Sequence, residues 1–402
     1  MPYSPGVNSA NFNNCVYNQA VLSQLSIQFD SINNDQLAYY ALLKVGTNGG
    51  PSAYGTYDQG GHVWEWIGET IISGGSTVGY LRGGDAFSQV SRLQRSYRFI
   101  IDTTSPTFTW NSQDDYSAIG FRVASLTNPK GYSNFVTVND PGNIDIVGYG
   151  NVNYTYQIGQ YQVTNCEYVE FLNAVAKTDT YNLYDDYWMN VDAYWPNHGN
   201  NENMLSFIDR TGINGNYSYS VADSRLNNKP VMSINWYRAA RYCNWLHNGK
   251  PSGLQNSNTT ENGAYNLNGT QSASIAKNTN ALYWIPTENE WYKAAYYKGG
   301  NTNAGYWTYP TQSDTAPSCV STLSSNGDGP ISSSYDCTIA TAPTPTPTPS
   351  NTVTPTVTPT NTVTPTVTPT NTPTNTVTPT PTPTNTTTPT VTPTNTNTPN
   401  ST

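Results

Sequence analysis

Charge is the scarcest property of this 402-residue sequence: Asp, Glu, Lys and Arg together make up 11% of it, with 17 basic against 26 acidic side chains. A net charge of −9 leaves no basic stripe for a polyanion, so nucleic acid is not expected as a partner. Long apolar runs are also missing. No stretch of about 18 apolar residues exists to span a bilayer. The opening Met-Pro-Tyr-Ser-Pro-Gly has neither the basic region nor the apolar run of a signal peptide. Cysteine is sparse, with five residues at 15, 166, 243, 319 and 337 and no C-x-x-C or zinc spacing among them. The three histidines, His62, His198 and His247, match no metal or catalytic template, and no phosphate loop or serine elbow occurs.

What the chain does contain divides it in two. From Pro343 to Thr402 there is almost nothing except Thr, Pro, Asn and Val. Such a segment has too little apolar area to offset its ordering entropy, so residues 341–402 are expected to be an extended, partly polyproline-like stalk reaching at most roughly 190 Å. Nearly every second residue there is an acceptor hydroxyl, Thr352, Thr354 and Thr356 for example, which points to O-glycosylation. A stalk of this kind is mostly an extracellular device, so an extracellular, cell-surface or virion-surface location is expected. Met1 is then either an internal Met of a longer protein or the start of a viral protein released by lysis.

The remaining residues, about 340, carry all ten Trp and all 31 Tyr, enough for an aromatic-rich core. Abundant Gly and Asn suit a loop-rich fold, with long surface loops over residues 180–220 and 250–280. Trp64 and Trp66 alternate around Glu65, a period of two that sends both indoles to one face of a strand and the carboxylate to its outer face. Ile119, Phe121 and Val123 repeat that alternation. Tyr154 to Val163 predicts a strand with a break at Gly159. Thr164-x-x-Glu167 is a capping box opening a helix with Tyr168, Phe171, Leu172 and Val175 inward. Asn235 caps a second helix with the stripe Trp236, Ala239, Ala240, Cys243 and Leu246. Thr287-x-x-Glu290 opens a third. Cys166 and Cys243 read as small buried hydrophobes, while Cys319 and Cys337 flank a loop and could pair, leaving Cys15 over. His247, ending a helix, suits the dipole as a partial positive charge. The pairs Asp114-Asp115 and Asp185-Asp186 read as solvated. Asn153, Asn216, Asn258, Asn268, Asn385 and Asn400 stand in N-x-S/T triplets.

Six short segments carry a family resemblance. Tyr161-Gln-Val-Thr-Asn165, Lys229-Pro-Val-Met-Ser-Ile-Asn-Trp236 and Trp284-Ile-Pro-Thr-Glu-Asn-Glu-Trp291, with Gly61-His-Val-Trp-Glu-Trp66, Arg82-Gly-Gly84 and Gly120-Phe-Arg122, resemble the formylglycine-generating enzymes, the sulfatase-modifying-factor domain. The resemblance implies an α+β, elaborated C-type-lectin-like fold. In the family the second three segments follow the first three; here they precede them. The implied organisation is a C-terminal half-domain at 1–125, a linker at 126–134, an N-terminal half-domain at 135–340 and the stalk. Three arrangements fit: a circular permutant whose first and last strands lie side by side, a fragment of a tandem array, or a subunit that completes its neighbour and can propagate as a fibre.

The resemblance also implies chemistry, some of which is missing. Family members that oxidise a sulfatase cysteine use two copper-binding thiolates shortly after the RGG segment, where this chain has Ser88 and Leu93. No formylglycine generation and no copper are therefore expected, although a divergent oxidase remains the rival reading. A calcium site does carry over: Asp58, the carbonyls of Gly61 and Val63, and Glu65 stand in its positions, and hard oxygen ligands suit Ca²⁺. Alternatively, Glu65 caps a turn or pairs with an arginine. The segment between RGG and GFR implies a variable surface shelf, bearing Phe87, Tyr97, Phe99, Phe108, Trp110 and Tyr116, that could hold a glycan or a protein ligand; the alternative is that these rings complete the core. The function so implied is a non-enzymatic binding or adhesive protein.

Overall fold

The computed structural model describes residues 14–15, 44–46, 50–85, 88, 90–104, 119–132, 134–186, 189, 207–222 and 224–319. They fall within one compact unit, Met1–Thr346, with Pro347–Thr402 a second unit outside the described residues. The strands are β1 (Asn14–Cys15), β2 (Trp64–Ser73), β3 (Ser76–Arg82), β4 (Phe99–Asp102), β5 (Ile119–Gly120), β6 (Ala124–Ser125), β7 (Phe135–Val138), β8 (Tyr156–Gly159), β9 (Ile208–Thr211), β10 (Ser218–Val221) and β11 (Ser318–Cys319). The helices are α1 (Asn165–Val175), α2 (Trp236–His247) and α3 (Glu288–Tyr296). Mixed sheets with a few helices make an α+β fold. Among the described residues no helix is long and apolar enough to cross a membrane.

All three helices start where local chemistry dictates. Thr164 and Thr287 each accept the N–H three residues on, and Glu167 and Glu290 reach back to the cap N–H, so both capping boxes close. Asn235 accepts from Arg238 N at 2.8 Å. α1 buries Tyr168, Phe171, Leu172 and Val175, the expected stripe. α2 departs from expectation: besides Trp236, Ala239, Ala240, Cys243 and Leu246, it buries Tyr237, Arg238, Arg241, Tyr242, Asn244 and Trp245. A helix covered all round sits in the middle of the core rather than on its surface. Its polar residues are buried because loops fold over them.

The main sheet has the order β4-β3-β2-β5, with β2 and β5 parallel through Trp64↔Ile119 and Glu65↔Gly120. A bulge interrupts the β2-β3 register between Trp66 and Thr70. A second sheet has the order β6-β8-β7, antiparallel throughout, with Ala124 opposite Ile158. β6 thus lies beside β8, and Val163 N donates to Phe121 O at 2.9 Å to extend the contact. β8 stops at Gly159, where the sequence predicts a break. Within the linker, Asn128 turns the chain at φ +43° and its amide donates to Tyr132 O at 2.8 Å.

Other expectations change in the folded molecule. Residues 207–222 form the β9-β10 hairpin rather than a loop. The 250–280 segment is irregular and lies largely at the surface, as expected, but Thr260, Glu261, Ala264, Tyr265 and Leu267 anchor it by burial. Glu65, predicted on an outer face, is 0% exposed because both faces of β2 are covered. Cys166 is disulfide-bonded, not a reduced core residue. It lies two residues, about 200° of helix turn, from Tyr168 and so points away from the buried stripe. β1 and β11 set Cys15 opposite Cys319 along the backbone. Cys243 is free and buried, as expected.

Candidate functional site

Segments far apart in the chain converge on one buried carboxylate. The guanidinium of Arg122 donates to Glu65 from Nε at 2.6 Å and from Nη2 at 2.7 Å. Trp291 Nε1 donates to Glu65 Oε2 at 2.7 Å, and Gln162 Nε2 donates to Oε1 at 3.0 Å. Arg122 spends its remaining donors on the carbonyls of Gly159 and Tyr57, both at 2.9 Å. WEW, GFR, YQVTN and TENEW each supply one group to this knot. Gly120 of GFR passes so close to the next segment that a Cβ there would lie 2.7 Å from Val231 O.

A second knot ties RGG to the start of α3. Arg82 is 1% exposed and ion-pairs with Glu288, while its Nη1 donates to the carbonyls of Arg95 at 2.8 Å and Tyr97 at 2.6 Å. Arg98 Nη1 donates to the other oxygen of Glu288 at 2.7 Å. Gly83 has φ +94°, and a Cβ on it would stand 2.8 Å from Gln59 O, so the turn after Arg82 demands glycine.

The calcium expected at Asp58, Gly61, Val63 and Glu65 does not fit the residues as the fold places them. Both oxygens of Glu65 already accept N–H donors, two of them from a cation, so an ion there would have to displace a fully buried Arg122. Asp58, at φ +60°, turns to Gly46, whose N–H donates to Oδ2 at 2.6 Å. Burial pushes its carboxyl above the usual carboxylate range. Among the described residues no three His, Cys, Asp or Glu side chains gather into a cluster. His62 is 1% exposed, 3.9 Å from Asp58 Oδ2, and burial lowers its pKa.

Where the reactive cysteines would stand, Ser88 Oγ donates to Asp85 Oδ1 at 2.7 Å and accepts from Asp85 N at 3.0 Å. Leu93 is wholly buried against Tyr309 and Val90. Neither side chain offers a thiolate, and both are enclosed. Of the aromatic shelf, Tyr97 and Phe99 lie 5.9 Å from the Trp64 ring and pack on the core. Phe87, Phe108, Trp110 and Tyr116 lie outside the described residues, as do Asp114-Asp115, His198 and the stalk hydroxyls Thr352, Thr354 and Thr356.

The expectation of a solvated carboxylate is corrected at Asp185, which is largely enclosed and pairs with Arg238 at 2.9 Å, and holds at Asp186, which stays exposed while pairing with Arg210. His247 is not a charge for the helix dipole. Its Nδ1 accepts from Leu282 N at 3.0 Å and burial lowers its pKa, so the ring is a neutral acceptor.

The model of one family, described as the sulfatase-modifying factor enzyme 1-like domain, matches residues 151–342. That segment is similar to this family. It spans YQVTN, α1, α2 and α3, and therefore holds the partners that Glu65, Arg122 and Arg82 meet from outside the matched range. No curated protein and no solved structure matches the chain. Sequence reasoning missed the buried pairs of Arg241 with Glu261 and Arg238 with Asp185, because nothing in the spacing of those residues marks them as neighbours.

Proposed function

We propose that the chain is a non-enzymatic binding or structural protein built on a sulfatase-modifying-factor-type domain, permuted in its chain order, closed within one molecule and carried outside the cell on a Thr/Pro stalk. The observation that carries this reading is the enclosure of Ser88 and Leu93. An oxidase of the family's kind needs two soft sulfur ligands to hold Cu(I), and at these positions the chain offers a hydroxyl bonded to Asp85 and an aliphatic side chain in the core. The disulfide at Cys166 supports an oxidising compartment. The closed arrangement is supported by the β6-β8 pairing and by the shared carboxylate of Glu65, which draw both half-domains together in a single chain.

The test is oxidation of a peptide containing Cys-x-Pro-x-Arg, with copper supplied and aldehyde formation followed by mass spectrometry. No aldehyde is expected above the copper-only control. Turnover by the full chain overturns the reading.

A further inference from the structure

We propose that the cleft at the C-terminal end of α2 binds a neutral carbohydrate. The proposal extends the binding-module reading and rests on it. The cleft has a volume of about 410 Å³, and its walls include the amides of Asn248, Asn262, Asn266, Asn278 and Asn280 together with the His247 ring. No Asp, Glu, Lys or Arg lines it, and no phenyl, phenol or indole ring does. Its chemistry is therefore that of uncharged hydrogen-bond donors and acceptors. An ionic ligand would lose hydration there without gaining a counter-charge, and an apolar one would leave the amides unpaired. A ligand with several hydroxyls matches it, because each hydroxyl can donate to an amide oxygen and accept from an amide or ring N–H.

The amides are already oriented. Asn278 Nδ2 donates to Gly263 O at 2.8 Å and to Asn266 Oδ1 at 3.0 Å. Asn248 Nδ2 donates to Thr259 O at 3.0 Å and to Asn262 O at 2.8 Å. These bonds hold the two carboxamides by their nitrogens and leave their oxygens for a ligand. With Nδ1 of His247 accepting from Leu282, the neutral ring carries its proton on Nε2 as a donor. Gly263 keeps the wall thin, since a Cβ on it would lie 3.2 Å from His247 Cδ2.

The loop that forms the far wall is pinned from beneath by α2. Arg241 donates to Glu261 from Nε at 2.7 Å and from Nη2 at 2.9 Å, and the same carboxylate accepts Gly269 N at 2.8 Å. Asn244 Nδ2 donates to Thr260 O at 2.7 Å and Tyr265 O at 2.9 Å. A charged pair and an amide, both buried, thus fix a loop that has no regular structure of its own, which is how a rigid site is made from irregular chain.

The experiment is a titration of the full chain, followed by ligand-observed NMR, with galactose, mannose and N-acetylglucosamine as neutral probes and glucuronate and sialic acid as charged ones. At least one neutral sugar is expected to bind with a Kd of about 1 mM, as befits contacts made by hydrogen bonds alone, and the charged sugars at least roughly tenfold more weakly. Asn266→Ala and Asn280→Ala alter exposed residues, and each is expected to weaken binding about fivefold or more with the melting temperature unchanged. Failure of every neutral sugar to bind overturns the proposal, as does preference for the charged ones or binding that survives both substitutions. None of these outcomes bears on peptide oxidation, so the cleft and the non-enzymatic reading fail separately.

Discussion

Glu65 concentrates the physics of this protein in one residue. Its carboxylate is wholly buried, as is the guanidinium that neutralises it, and every hydrogen bond it accepts comes from a different part of the chain. Desolvating two charges is costly, so such a pair adds little net stability while intact; removing one member leaves the other charged and dry. Glu65→Gln is therefore expected to destabilise the fold by about 3–5 kcal/mol, measured by urea unfolding. Because the pair, not an ion, satisfies the carboxylate, a calcium chelator is expected to leave the melting temperature of the unmodified protein unchanged. A large drop with chelator would instead assign Glu65 to a metal.

At the scale of elements, short-range chemistry and long-range packing divide the work. The three helix starts are fixed by neighbours in sequence, and α3 shows how far a cap can reach. Glu290 closes the box with Thr287 and also accepts from Trp284 Nε1 at 2.9 Å and from Tyr154 OH at 2.7 Å. Thr287→Ala is expected to cost about 1 kcal/mol, up to about 2 if Glu290 loses its orientation as well. Thermal unfolding of the variant checks this, and no loss at all would mean that tertiary contacts hold α3 without its cap. The sheets obey the other rule. β5 and β6 have two residues each and could not persist alone; they exist because β2 and β8 lie alongside them.

The whole molecule is one packing problem shared by two halves. Trp64, Trp66, Ile119 and Phe121 from the first half share a core with Trp236, Tyr242, Trp245 and Trp284 from the second. Residues 135–340 expressed alone would expose those indoles and leave Gln162 and Trp291 without their acceptor. They are expected to aggregate or to lack a cooperative melt, whereas the full chain is expected to run as a concentration-independent monomer on size-exclusion chromatography. A cooperative, monomeric fragment would sink the shared core, and open-ended assembly of the full chain would replace closure within one molecule by closure between molecules.

The sequence by itself determined whatever depends on a few consecutive residues: the capping boxes at Thr164 and Thr287, the Asn235 cap, the stripe of α1, the break at Gly159 and the loss of the cysteine pair. It also carried the motifs of the segment that the family model matches. Only the tertiary structure decided which face of a strand is solvent, and so turned Glu65 from a predicted outer ligand into the partner of Arg122. It likewise surrounded α2, paired Asp185 and Asp186 with arginines from distant segments, and folded an Asn-rich loop against the end of α2 to make a cleft. The physical reason is common to all of these. Periodicity encodes one element's own geometry, whereas burial and pairing depend on what another segment, often a hundred residues away, brings to the opposite side.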